Sequence, residues 1–283
     1  MTFEPILLSN GSLQAEVSLI GAELKLLRPV GGRSVIWEGS EETWLRSAPT
    51  VFPVLGGWPD DSYTVNGKAY CMQRNGFART SCFRKAESTP DTVRLELKDT
   101  AETRECYPFR FTLSVTYRLV GYSLIISYAL RNDGTEEMPW ILGGHPGFLW
   151  NRLAQSQIRF PEEQTAEAFH PDGRRTQLVD HSDKIRLTSG MFCNGALSTD
   201  QITCPWIDLI SGFSDIPAVR LHREQFPFIT FWSMNNLEAS FICIEPTTGA
   251  GAHGRDLRDR NGIRFLAPGE AADLSFQIEL LEF

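Results

Sequence analysis

A chain of 283 residues is long enough to bury a substantial core, and one large domain accounts for it better than several small ones. Hydrophobic residues make up 42% and charged residues 22%, with a formal net charge of -8. That balance argues against a nucleic-acid-binding surface, which carries a basic excess, but leaves room for an anionic ligand, because a few local arginines can override the global sign.

The N-terminus, MTFEPILLSNGS, has neither a basic leading segment nor a long apolar run, so no secretory signal is expected. The most apolar stretch, Leu124 to Leu130, is far shorter than the roughly 20 residues that span a bilayer. Six cysteines, at 71, 82, 106, 193, 204 and 243, show no CxxC and no tight clustering, which points to reduced thiols. A cytoplasmic protein with no membrane partner is the expectation.

Strand-like alternation dominates from the start. Leu13, Ala15, Val17 and Leu19 alternate before Gly21. The segment EETWLRS at 41–47 is expected to form one helical turn. SYTVNGKAYCM predicts a hairpin, because Asn66-Gly67 is a favoured two-residue turn. Val93, Leu95 and Leu97 alternate between charged residues. Phe109, Phe111, Leu113, Val115, Tyr117 and Leu119 then share one parity, and after Gly121 so do Leu124, Ile126, Tyr128 and Leu130; period-2 patterns of this kind mark half-buried antiparallel strands. Residues 161–170 are ambiguous. Leu274, Phe276, Ile278 and Leu280 close the chain as a further strand. With 23 glycines and 16 prolines spread throughout, the whole of 1–283 reads as one all-β domain of antiparallel sheets with very little helix. Two packed sheets and a closed barrel both fit the pattern.

No HExxH, no His pair at i, i+4 and no Cys-His set with zinc spacing occurs, so neither a metal nor a cofactor is expected. GxSxG, P-loop and GxGxxG motifs are absent too. Polar groups in Gly/Pro-bounded loops remain. In Pro139-Trp-Ile-Leu-Gly-Gly-His145-Pro-Gly-Phe148, the two glycines suggest close approach of backbone to a ligand, and Pro146 restricts His145. An imidazole there could give or take a proton; a histidine capping a turn would look the same. In Phe241-Ile-Cys-Ile-Glu245-Pro-Thr-Thr-Gly249, a carboxylate ends an apolar strand, where it is either functional or paired with an arginine. Arg46 and Arg79 stand near aromatic residues, an arrangement suited to sugar hydroxyls, whereas Arg74 reads more readily as a surface arginine.

These blocks carry a resemblance. Arg46-Ser-Ala-Pro-Thr-Val-Phe-Pro, Asn75-Gly-Phe-Ala-Arg79, Tyr107-Pro-Phe-Arg-Phe, Gly144-His145-Pro-Gly-Phe148 and Cys243-Ile-Glu245-Pro, in that order, resemble the aldose 1-epimerase (mutarotase) family, in particular its compact bacterial branch. The resemblance implies a galactose-mutarotase-like β-sandwich (supersandwich) with an open sugar cleft, and a cofactor-free isomerase that interconverts α and β anomers. Carried over, His145 would be the general acid at the ring oxygen and Glu245 the general base at the C1 hydroxyl. Arg46, Asn75 and Arg79 would bind the substrate, a hexose or pentose, free or phosphorylated. The protein would be a monomer or a homodimer.

Two departures stand out. Asn75 occupies the place of a family histidine, and it can donate a hydrogen bond but carry no charge. The family's sugar-binding acid has no counterpart in Phe192-Cys-Asn194-Gly195-Ala-Leu197, where the basic loop Gly254-Arg255-Asp256-Leu-Arg258 is the candidate to compensate. Retention of His145 and Glu245 favours an epimerase, and Asn75 favours a catalytically weak sugar-binding or sensing protein. A lyase or hydrolase on the same sandwich is a third reading.

Overall fold

The computed structural model describes residues 4–151, 156–188, 190–234, 240–251 and 254–281. Every pair of named strands is antiparallel. The alternation in the sequence becomes alternation in burial: in Leu13–Ser18 and in Thr92–Lys98 every second residue is buried. Phe111–Val120 and Ser123–Asn132 pair along their whole length across a two-residue turn at Gly121-Tyr122, with Gly121 at φ 56°. Asn66 and Gly67 both take positive φ, 51° and 74°, as a hairpin turn between Ser62–Val65 and Lys68–Cys71 requires.

One sheet holds 15 of the described strands. From one edge it runs Thr50–Val51, Gly143–Gly144, Phe241–Thr247, Phe228–Trp232, Leu197–Thr199 and Gln157–Phe169. It continues through Trp206–Ile210, Val219–His222, Ala271–Leu280, Ser123–Asn132, Phe111–Val120 and Thr92–Lys98 to Arg84–Ser88. The two edges do not pair, so this is not a closed barrel. Instead the sheet doubles over. A Cβ on Gly144 would lie 2.6 Å from Phe276 Cζ, although their strands are far apart in the strand order. The main core fills this fold, with Ile242, Ile244 and Phe231 from one limb and Leu113, Ile126 and Phe276 from the other.

Three expectations are revised. Residues 41–47 form no helix: the Ser40 amide bonds to the Trp44 carbonyl and Thr43 N to the Ser40 carbonyl, closing a turn that sends the Trp44 ring against Phe241. The ambiguous 161–170 lies mostly in the long strand Gln157–Phe169, whose alternation is broken by register shifts between Arg159 and Glu167. The one α-helix among the described residues, Ala101–Cys106, was not anticipated. It is short, and its capping box uses Thr100 with Thr103 in place of the usual Glu or Gln.

Candidate functional site

Register brings the two proton-transfer candidates together. Gly143 pairs with Thr247 and Gly147 with Cys243, in one continuous antiparallel register. His145, midway between the two glycines, therefore falls opposite Glu245, midway between their partners. His145 Nε2 stands 3.2 Å from Glu245 Oε1, and the residues are 6% and 2% exposed. The same row continues across three more strands, since Glu245 pairs with Thr230, Thr230 with Ser198, and Ser198 with Phe169. Paired residues on adjacent strands point to the same face, about 4.8 Å apart, so His145, Glu245, Thr230, Ser198 and Phe169 form one straight line of side chains. All five line a cavity of about 790 Å³. The Ser198 and Thr230 hydroxyls share a 2.7 Å hydrogen bond in the middle of its floor.

The glycines serve a different purpose from the one expected. A Cβ on Gly143 would sit 2.2 Å from the Pro246 carbonyl oxygen, and one on Gly144 would strike Phe276. Their bareness lets strands and limbs close on each other rather than admit a ligand. A Cβ on Gly147 would lie 2.7 Å from Trp44 Cζ3, so that glycine seats the indole beside His145, at 5.1 Å between ring centroids. Trp232 meets the imidazole edge-on at 6.0 Å.

The arginines and Asn75 divide their tasks. Arg79, on the short 3-10 turn Ala78–Thr80, lines the cavity, and its guanidinium has no hydrogen bond or ion pair among the described residues. Burial and the neighbouring Arg46 charge pull its pKa below the usual arginine range. Arg46 is not on the cavity wall. Its guanidinium donates to the Arg79 carbonyl at 2.9 Å and to Glu23 at 3.3 Å, which anchors the turn from behind. Arg74, read as a surface residue, is exposed at the cavity mouth. Asn75 lines the wall at φ 64°. Its carboxamide oxygen accepts the Gly56 amide at 2.7 Å, which fixes the orientation of the side chain and leaves its NH2 without an acceptor among the described residues.

The basic loop does not fill the gap left by the absent acid. Arg255 faces Asp60 at 3.8 Å and Arg258 pairs with Glu137 at 2.9 Å, and neither lines the cavity. Gly195 is on the lining and Asn194 is exposed off it. Arg260, unremarked in the sequence, donates to the Leu55 and Gly57 carbonyls at 3.0 and 2.9 Å and lies 3.6 Å over the Trp58 ring. It thereby holds the loop that forms the opposite wall.

Burial sets the proton positions. It drives His145 down to about 3, helped by the Arg79 charge, and drives Glu245 well above the carboxylate range, opposed by the same arginine. Burial thus disfavours charge on both side chains, and the Arg79 charge pushes both values down. His145 Nδ1 is buried with no hydrogen-bond partner among the described residues. Cys243 Sγ, on the same strand face as Glu245, makes the third of three metal-type donors that lie within 4.8 Å of one another.

Phe169, Ser198, Thr230 and Trp232 on the lining were not identified from the sequence, since only strand pairing brings them to one face, nor was His170, which the turn after Phe169 places there. In the sequence Trp44 appeared only within the segment 41–47.

The comparisons with known proteins agree with this architecture. The chain matches the aldose 1-epimerase family over residues 4–278. It is 25% identical to the chromosomal LacX protein of Lactococcus lactis subsp. lactis, across 99% of this chain and 100% of that one. A galactose mutarotase-like protein from Lactobacillus casei superposes with a TM-score of 0.91 at 26% identity, covering 98% of this chain and 100% of that one. A galactose mutarotase related enzyme from Lactobacillus acidophilus gives 0.90 at 25%, covering 98% and 97%. With the family match running over residues 4–278, through nearly every strand described above, the chain belongs to the aldose 1-epimerase family.

Proposed function

We propose that the chain interconverts the α and β anomers of an aldose by opening and reclosing the sugar ring. The observation that carries this reading is the His145–Glu245 pair, 3.2 Å apart on the floor of a cavity large enough for a sugar. A cyclic hemiacetal presents two oxygens on one carbon, and a close acid/base pair suits them. In the reacting state the pair holds one proton on His145, as an imidazolium beside the Glu245 carboxylate. Glu245 takes the proton from the C1 hydroxyl while His145 protonates the ring oxygen and the C1–O5 bond breaks. After rotation about C1–C2, the ring closes with the two roles reversed. Positioned proton transfer of this kind contributes about 10²–10⁴-fold. Arg79, with no acceptor among the described residues, would hold a sugar oxygen near the reacting carbon, and Trp44 and Trp232 offer apolar faces to the ring. Arg46 acts through Arg79.

A second reading, a catalytically weak sugar-binding protein, draws on Asn75, whose carboxamide oxygen is already committed to Gly56. Pure anomers of several hexoses and pentoses, free and phosphorylated, followed by polarimetry or NMR, separate the two. Mutarotation above the buffer rate that disappears in both His145→Ala and Glu245→Ala supports the epimerase. Sugar binding without any acceleration across the panel supports the second reading.

A further inference from the structure

The donor set around the proton-transfer pair has a property that its sequence spacing hides. Three atoms that all lie within 4.8 Å of one another have a common point at most about 2.8 Å from each, by simple triangle geometry. Zinc bonds to sulfur, nitrogen and oxygen are roughly 2.0–2.3 Å, so each ligand needs to move by at most about 0.5–0.8 Å. We propose that His145, Cys243 and Glu245 form a binding site for a borderline-soft divalent cation of the zinc class, entered through the cavity.

Four observations support it. Cys243 and Glu245 alternate onto one face of Phe241–Thr247, where Cys243 packs beside Trp44 and Trp232, the two indoles that also border His145. None of the three donors is bound elsewhere: Cys243 Sγ makes no hydrogen bond among the described residues, His145 Nδ1 has no partner, and no lysine or arginine there lies within 4.0 Å of the Glu245 carboxylate. On binding, the thiol and the carboxyl release their protons to solvent, and the resulting thiolate and carboxylate balance two positive charges, with the imidazole neutral. His145 and Glu245 border the cavity, which leaves a fourth coordination position open to it, as in exchangeable three-ligand zinc sites. The thiolate selects against magnesium and calcium, which prefer all-oxygen sets. Arg79 opposes a cation here, so the site is exchangeable rather than structural.

The test is cobalt titration of the reduced, metal-stripped full-length protein. The expected result is a thiolate-to-cobalt charge-transfer band with tetrahedral visible bands, saturating at one equivalent, displaced by Zn2+ and untouched by excess Mg2+. Cys243→Ser should abolish the charge-transfer band and weaken binding at least tenfold, and Glu245→Gln should weaken it similarly. Cys243→Ala, checked by circular dichroism, replaces the serine variant if that one misfolds. A band that survives loss of Cys243 assigns the metal to an exposed thiol and overturns the proposal, as does the absence of any band. Inhibition of mutarotation by Zn2+, relieved by sugar and lost in the Cys243 variant, is the functional consequence, and this clause alone rests on the epimerase reading. Cobalt binding through Cys243 without mutarotation would therefore sink the proposed activity and leave the metal site standing.

Discussion

Glu23 and Glu245 are both buried carboxylates, 3% and 2% exposed, yet the fold surrounds them in opposite ways. Glu23 accepts from the Ser47 amide and from Arg46, and Lys25 stands 3.6 Å away. Its oxygens are satisfied by fixed donors, and the group ties the 41–47 turn to the strand Glu23–Pro29. Among the described residues Glu245 makes one ion-pair contact, with a histidine that is itself driven towards neutrality. A buried acid with dedicated donors does structural work. One left facing a cavity beside a titratable neighbour is a candidate for proton transfer.

The sharpest way to break this contrast is Glu245→Gln. It should lower mutarotation by about 10²–10⁴-fold, measured by polarimetry, while thermal stability holds or rises, because a neutral amide removes a group that burial penalises when charged. The rise should grow with pH. Glu245 has a raised folded pKa, so the stability tied to its protonated form is lost as pH climbs through that value. Glu23→Gln should do the reverse, costing roughly 2–3 kcal/mol in denaturant melts, with a smaller drop in activity transmitted through Arg46 and Arg79.

A third measurement follows from the histidine. Its folded value is depressed from 6.5 to about 3, so its contribution to stability is fully present above 6.5 and is lost as pH falls towards 3. His145→Gln should flatten the acid limb of the stability profile in that window. The smallest effect is expected at Asn75→Ala. It removes the acceptor for the Gly56 amide at a positive-φ position, a cost of about 1–2 kcal/mol, with activity reduced less than tenfold.

Much of the fold was legible in the sequence because a strand with one buried face declares itself every second residue. The hairpins at Gly121 and at Asn66-Gly67, and the C-terminal strand, are of this kind. The turn at 41–47 was not, because a tertiary contact of Trp44 overrides local helix preference there. His145 and Glu245 were visible as polar residues in apolar surroundings. The remainder of the floor was hidden, since Thr230 and Ser198 are ordinary strand residues until register aligns them. Arg46 and Arg79 looked equivalent in sequence, and only their hydrogen bonds reveal that one supports the other. Gly143 and Gly144 invited a ligand explanation that the crowding of neighbouring strands replaces.

Three of the seven tryptophans, Trp44, Trp58 and Trp232, border the same cavity. Anything that settles on its floor must alter the surroundings of these indoles, and a shift of charge onto the neighbouring imidazole would quench Trp44 most directly. The molecule thus carries its own optical gauge of occupancy, readable as a change in emission without label or coupled assay.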